Sequence, residues 1–331
     1  MTDPHAATDH PASRPSAAVP AQVTIATRKS PLALWQAEFV AAALKAAHPG
    51  LEVSLLTMQT SGDRFLDASL AEKGGKGLFV KELETALLDG RADLAVHSMK
   101  DVPVELPQGL AITAILDRHD PRDAFVSNRF GRFEALPPGA VVATSSLRRS
   151  AQLRALRPDL EIVPLRGNVN TRLRKLDDGE FDAAVLAVSG LTRLGFSDRI
   201  ASAFEPTQML PAIAQGALGI ESRVDDAPIS ALVSCLDHPA THDAVRAERT
   251  LNAALGGGCH LPVAAFAAYT DEAKTQIEVN ALVADTTGER ILRDRLQGSR
   301  TEAVALGARL ADNLLAAGAA ELLEAVRQNA S

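Results

Sequence analysis

Residues 23–58 read VTIATRKSPLALWQAEFVAAALKAAHPGLEVSLLTM, and this stretch decides the fold class. Val23 to Thr27 predicts a short strand. Ser30 then offers an N-cap hydroxyl, and Pro31 occupies the first helical position, where its missing N–H costs nothing. Leu32, Trp35, Phe39, Val40 and Leu44 recur at helical spacing until His48-Pro49-Gly50 stops the helix, and Val53 to Met58 predicts a second strand. Outward from there, Leu78 to Leu88 is amphipathic and Ala92 to Val96 predicts a third strand. Such alternation predicts an α/β domain with a largely parallel sheet.

The pattern restarts after Asp120-Pro121-Arg122-Asp123, which reads as a hinge. Strands are expected over Val141–Ala143, Glu161–Leu165 and Ala183–Ala187, with helices between them. Met209-Leu210-Pro211 reads as a second crossing, because Gly216 to Glu221 is again strand-like. A third region begins near Pro239. It holds a helix over Ala244–Leu255, a Gly256-Gly257-Gly258-Cys259 loop, strands around Val263–Ala268 and Ile277–Ala284, and one long helix from Thr301 to Val326. No internal sequence repeat is visible.

The 331 residues carry 34 Lys+Arg against 41 Asp+Glu, a net −7 that argues against a generally basic nucleic-acid binder. One Trp, one Tyr and ten Phe are too few for a base-stacking platform. Two cysteines exclude a disulfide scaffold and suit a reducing compartment. The stretch from Thr250 to Thr270 lacks charge, but glycines, Asn252, His260 and Pro262 make it a poor membrane span. Residues 1–20 hold four prolines and no apolar core of a signal peptide, and read as a disordered tail. A cytoplasmic protein is expected.

Against that acidic background, residues 144–200 hold ten Lys+Arg and seven Asp+Glu, a local +3. Arg148 and Arg149 follow Thr144-Ser145-Ser146 at one strand-to-helix junction, and Arg166 and Arg172 flank Gly167-Asn168 at another. Helix N-termini favour anions, and guanidinium forks bind carboxylate or phosphate bidentately. A solvated charged face is the plainer alternative, but two such junctions favour anion binding. Gly74-Gly75-Lys76-Gly77 lacks phosphate-loop spacing and reads as a mobile loop bearing a cation. His97-Ser98-Met99-Lys100-Asp101-Val102-Pro103 follows the third strand, where open α/β sheets bind ligands. That makes Asp101 a candidate catalytic carboxylate beside the Lys100 cation, with an Asx turn as the alternative. His97 reads as a core histidine. Cys235 lies in an apolar run and reads as buried and inert, whereas Cys259 on its glycine loop is a candidate reactive thiol. No metal-ligand spacing is present.

Six runs together resemble the porphobilinogen deaminase (hydroxymethylbilane synthase) family. They are Thr27-Arg28-Lys29-Ser30-Pro31-Leu32-Ala33-Leu34-Trp35-Gln36-Ala37, Gly74 to Glu84, Ala95 to Pro103, Thr144 to Ser150, Leu165-Arg166-Gly167-Asn168-Val169, and Gly256-Gly257-Gly258-Cys259-His260-Leu261-Pro262-Val263. The resemblance implies a three-domain α/β protein, with two periplasmic-binding-protein-like lobes and a smaller α/β C-terminal domain. Its domains would be 21–117 with 216–236, 118–215, and 238–331.

It further implies a dipyrromethane cofactor bonded through a thioether to Cys259. Four porphobilinogen molecules would be added with loss of ammonia, and the linear product released by hydrolysis. Asp101 would be the catalytic carboxylate. Lys100, Ser98, Thr144, Ser146, Arg148 and Arg149 would hold the cofactor. Arg28, Arg166, Arg172, Arg193, Lys76, Gln36 and Phe79 would meet the substrate chain. A monomer is implied, with no nucleic-acid or membrane partner. A non-catalytic two-lobed solute-binding protein is the rival reading. Ala214, His119 and Ser189 depart from the family pattern without touching a residue assigned to chemistry.

Overall fold

The computed structural model describes residues 19–60, 80–258 and 261–329. Lys76, Phe79, Cys259 and the first eighteen residues of the tail lie outside the described residues.

The first sheet begins with β1 (Gln22–Arg28), followed by α1 (Pro31–Ala47) and β2 (Glu52–Met58). Ser30 caps α1 by accepting from the Ala33 N–H at 3.4 Å, and Pro31 opens the helix as its sequence implies. The buried face is Ala33, Gln36, Ala37, Val40 and Leu44. It is rotated from the expected stripe, because Trp35 and Phe39 stack on each other near the surface, ring centroids 5.1 Å apart. Burying a side chain such as Leu44 contributes about 1.5–3 kcal/mol. Helix α2 (Lys81–Leu88) and strands β3 (Leu94–Ser98) and β4 (Leu110–Ile115) follow, and β10 (Leu218–Arg223) completes the sheet in the order β2-β1-β3-β10-β4.

The second sheet has the same plan. Strands β5 (Asp123–Val126), β6 (Val141–Ala143), β7 (Glu161–Val163), β8 (Ala183–Ala187) and β9 (Ser202–Ala203) are ordered β7-β6-β8-β5-β9. In each five-stranded sheet four strands run the same way, and the fourth in order, β10 or β5, runs against them. That fourth strand is the one the chain enters after crossing from the other sheet. The expected largely parallel sheets are therefore mixed, because each crossing delivers a strand running the opposite way. The repeated topology leaves no repeat in the sequence, since burial in each lobe asks only for apolar side chains.

Three helices cover the second sheet: α3 (Leu147–Leu156), α4 (Val169–Asp177) and α5 (Val188–Arg193). After α6 (Ala227–Val233), α7 (Pro239–Ala254) leads to an antiparallel meander of β11 (Val263–Tyr269), β12 (Gln276–Ala284) and β13 (Ile291–Ser299). The single C-terminal helix expected over Thr301–Val326 is two, α8 (Ala303–Ala316) and α9 (Ala319–Asn329). Gly318 breaks it with φ +98°, a conformation that L side chains rarely adopt. Each region has its own apolar core, and the helices α7, α8 and α9 close that of the meander.

Candidate functional site

Most candidate side chains sit where parallel strands end. Arg28 closes β1, Ser98 closes β3, Thr144 follows β6, Arg166 lies just past β7, and α5 carries Arg193 after β8. Parallel strands point their C-terminal ends one way, so the two lobes gather these residues along strand ends, where open sheets leave a crevice.

Met99–Asp101 forms a short 3₁₀ turn after β3. Met99 is buried, and its N–H donates to the Ala217 carbonyl at 3.0 Å, which pins the turn to the returning chain. Asp101 faces outward, while Lys100 is half-buried. Burial pulls the Lys100 ammonium down to about 8. The Asp101 and Asp123 carboxylates oppose that shift, and the Arg149 and Arg148 guanidinium groups reinforce it. Ser98 Oγ accepts from Gln36 Nε2 at 2.7 Å, so buried Gln36 fixes the residue before the turn. His97 is buried with Nε2 2.9 Å from Glu221 Oε2, as expected of a core histidine.

The two arginine junctions are tied together. Ser145 Oγ donates to the Leu165 carbonyl and accepts from the Leu165 N–H, both at 2.9 Å. Ser146 caps α3 and Asn168 caps α4. Thr144 Oγ1 accepts from the Ser146 N–H at 3.2 Å, holding the cap residue. Arg172 donates Nε to the Gly167 carbonyl at 2.8 Å. Burial lowers Arg172 to about 10, with Arg149 adding repulsion and Asp101 opposing it.

Arg148 and Arg149 are already engaged. Both forks close on Asp123, which is fully buried. Arg148 reaches it at 2.7 and 3.2 Å, and Arg149 at 2.9 and 2.6 Å. Arg148 also donates to the Leu210 carbonyl, and Arg149 to the Val185 carbonyl. Gln215 Nε2 adds a bond to the same carboxylate at 3.0 Å. The two guanidinium groups hold Asp123 well below the usual carboxylate range, outweighing its burial. Two cations on one anion still leave a net positive charge beside Lys100. In the sequence Asp123 reads only as part of a hinge. The signal that marks it is a carboxylate opening the apolar run Asp123-Ala124-Phe125-Val126.

Arg193 is 5% exposed and donates to the Gly216 carbonyl at 2.7 Å, with its guanidinium 5.8 Å from the Trp35 ring centroid. Burial lowers it to about 10, and its Nε has no hydrogen-bond partner. Ala214 takes a left-handed φ of +58°, which explains why glycine suits that position better. Cys235 corrects the expectation of burial: it is exposed, because the apolar run turns outward after Val233. Partial desolvation of its sulfur nonetheless raises its thiol.

The donor set fits a cofactor rich in carboxylates. Lys100, Arg149, Arg148 and Arg172 surround Asp101 and Asp123 with more cations than anions, and burial weakens the hydration each cation would otherwise keep. Among the described residues no cluster could hold a metal ion, and no helix is long and apolar enough to cross a membrane.

Comparison with known proteins assigns this architecture. Residues 23–231 match the family model described as "Porphobilinogen deaminase, dipyromethane cofactor binding domain". Residues 243–316 match "Porphobilinogen deaminase, C-terminal domain". Among solved structures, the chain is similar to the methionine-binding protein MetQ at 16% identity, covering 65% of this chain and 90% of that one, with a TM-score of 0.41. It is also similar to a nutrient-binding protein from Burkholderia cenocepacia bound to methionine, at 16% identity over 66% and 93% of the chains, TM-score 0.42. A periplasmic substrate-binding protein of an ABC transporter from Coxiella burnetii aligns at 18% identity over 66% and 94%, TM-score 0.42. With both two-lobed body and C-terminal region matched, the chain belongs to the porphobilinogen deaminase family.

Proposed function

We propose that the cationic cluster around Asp101 is where this chain holds dipyrromethane and carries out hydroxymethylbilane synthesis. The family's activity is that transferase reaction, with porphobilinogen as substrate and dipyrromethane as cofactor. The two-lobed architecture is the family's own, so it does not favour a non-catalytic solute-binding protein. The observation that carries the placement is the excess of positive charge at half-buried Lys100 and Arg172 and buried Arg149 beside the outward-facing Asp101 carboxylate.

Every pyrrole unit brings an acetate and a propionate, so a growing chain needs many cations. Lys100 and Arg172 supply charge directly. Arg148 and Arg149 add a fixed positive field through their shared grip on Asp123. Arg28, Arg166 and Arg193 extend the cationic lining along the strand ends, and Ser98, Thr144 and Ser146 add hydroxyls held by Gln36 and the helix caps. A hydrogen bond to a charged group contributes about 1.5–3 kcal/mol, and several of them set the register of successive units. Asp101 stabilises the positive charge that develops on a pyrrole nitrogen as ammonia leaves, and it moves protons at the leaving amine and the attacking carbon. Dipyrromethane, bonded to Cys259, supplies the pyrrole carbon that is extended. Lys76 and Phe79 complete the reading as cation and stacking surface over the substrate. The domains are taken as 21–117 with 216–236, 118–215 and 238–331, which gives each its own sheet, in a cytoplasmic monomer.

Asp101→Asn and Arg172→Leu test this placement together. The first should keep the covalent cofactor and lose turnover. The second should reduce substrate affinity and cofactor content. Near-normal turnover in Asp101→Asn would remove the carboxylate from the chemistry.

A further inference from the structure

The segment behind Asp101 is held from the C-terminal domain. Arg249, on α7, donates Nη1 to the Val102 carbonyl at 3.0 Å and Nη2 to the carbonyls of Pro103 at 2.7 Å and Val104 at 3.3 Å. Three successive main-chain acceptors on one planar fork leave that segment little freedom to slide. Helix α7 ends five residues later and runs directly into Gly256-Gly257-Gly258. The same Val104 meets that loop: a Cβ on Gly257 would lie 2.6 Å from Val104 Cγ2. Val104 is thus gripped twice, through its carbonyl by Arg249 and through its methyl by the bare backbone of Gly257.

The other anchor of the Asp101 turn, the Met99 N–H to the Ala217 carbonyl, lies within the first lobe. It cannot set the distance between the turn and the C-terminal domain. Met99 and Val102 also share a buried apolar cluster with Val245 of α7, but among the described residues the Arg249 bonds are the directional tie between the two elements, and the Gly257 contact adds to them.

We infer that Arg249 is a positioning residue, which locks the Asp101 turn to the helix leading into the glycine loop so that carboxylate and cofactor keep one separation. The inference rests on the proposed roles of Asp101 and Cys259. The three hydrogen bonds of Arg249 all go to main-chain carbonyls, and its charge also faces that of Glu221, so it acts on the reaction through the placement of the turn. Misplacement of a catalytic group by about 1 Å is enough to cost about a hundredfold in rate.

The test uses the holoenzyme, with kcat expressed per cofactor-bearing molecule counted by intact mass. Arg249→Met should keep its cofactor and a KM within about threefold, while kcat falls about tenfold or more. Arg249→Lys, which can still bond one or two of the carbonyls, should recover part of that loss. Gly257→Ala should lower kcat in the same way, and adding Val104→Ala should restore part of it by removing the clashing methyls. Should Arg249→Met fail to fold, Arg249→Lys and the Gly257/Val104 pair decide alone.

An unchanged kcat per cofactor-bearing molecule in the Arg249 variants, or no recovery in the double variant, would overturn the inference. Asp101→Asn in the same assay separates the two levels. If it is inactive while Arg249→Met runs at the parent rate, only the positioning role fails. If it runs at the parent rate, the reading beneath it fails.

Discussion

The Arg118 guanidinium closes on the Glu248 carboxylate through two bonds, 2.6 and 3.0 Å long, with Glu248 fully buried. Glu248 also accepts from the N–H groups of Ala214 at 2.6 Å and Ala267 at 2.8 Å. Arg118 lies on the outgoing crossing, Ala214 on the returning one, and Ala267 on β11. One carboxylate therefore joins both crossings to the C-terminal meander.

Removing one member of that pair strands the other. Arg118→Leu should destabilise the protein by about 3–5 kcal/mol, because Glu248 keeps a buried charge that has lost its partner. Glu248→Gln should be severe as well, and Arg118→Leu combined with Glu248→Gln should cost clearly less than the sum. Urea unfolding of the three variants measures this. Additive effects would show that the two residues do not act as a pair.

How much of this was legible follows from the range over which each signal acts. The start of α1 at Ser30-Pro31 and the strands around Val23, Val141 and Ala183 were readable, because caps and apolar runs are local. The antiparallel place of β10 was not, since it depends on how the chain returns from a lobe a hundred residues long. Thr301–Val326 reads as one unbroken helix because its apolar spacing runs through Gly318, whose positive φ divides it in the fold. Glu248 sits at i+4 and i+3 from Ala244 and Val245 on the buried face of α7, a spacing that marks a carboxylate needing a partner without naming Arg118. Arg148 and Arg149 were recognisable as cations at a junction. That Asp123 engages both was not, because the three meet only in the folded lobe.

The carboxyl of Glu84 is a second buried group with a measurable consequence. Burial, with the nearby Glu221 charge adding to it and His97 opposing it, raises Glu84 from 4.5 to about 7. The folded state therefore holds this proton more tightly than the unfolded chain does. Its contribution to stability is complete below pH 4.5 and is lost as pH rises through about 7. Glu84→Gln should flatten the fall in stability across that window, read as melting temperature against pH. An unchanged slope would place the titration elsewhere.

Lys100 predicts a basic limb in cofactor uptake. Its value near 8, below the ordinary 10.5, means that the folded site gives up this proton early. The charge available to attract a carboxylate is present below about 8 and lost above it, while a bound carboxylate raises the value again. Incorporation of porphobilinogen-derived cofactor into apoprotein should therefore slow above about pH 8. Lys100→Arg should move that limb upward, and Lys100→Met should abolish it. Rates of mass gain at a series of pH values measure this, and an identical limb in Lys100→Met would contradict it.

The central claim is a covalent dipyrromethane on Cys259 serving the cationic site around Asp101. Intact mass of the purified protein, beside Cys259→Ser and Cys235→Ser, tests it most directly. The account predicts an excess of two linked pyrrole units in the parent and in Cys235→Ser, with none in Cys259→Ser. An unmodified parent mass that persists after incubation with porphobilinogen, or an excess retained by Cys259→Ser, would contradict it.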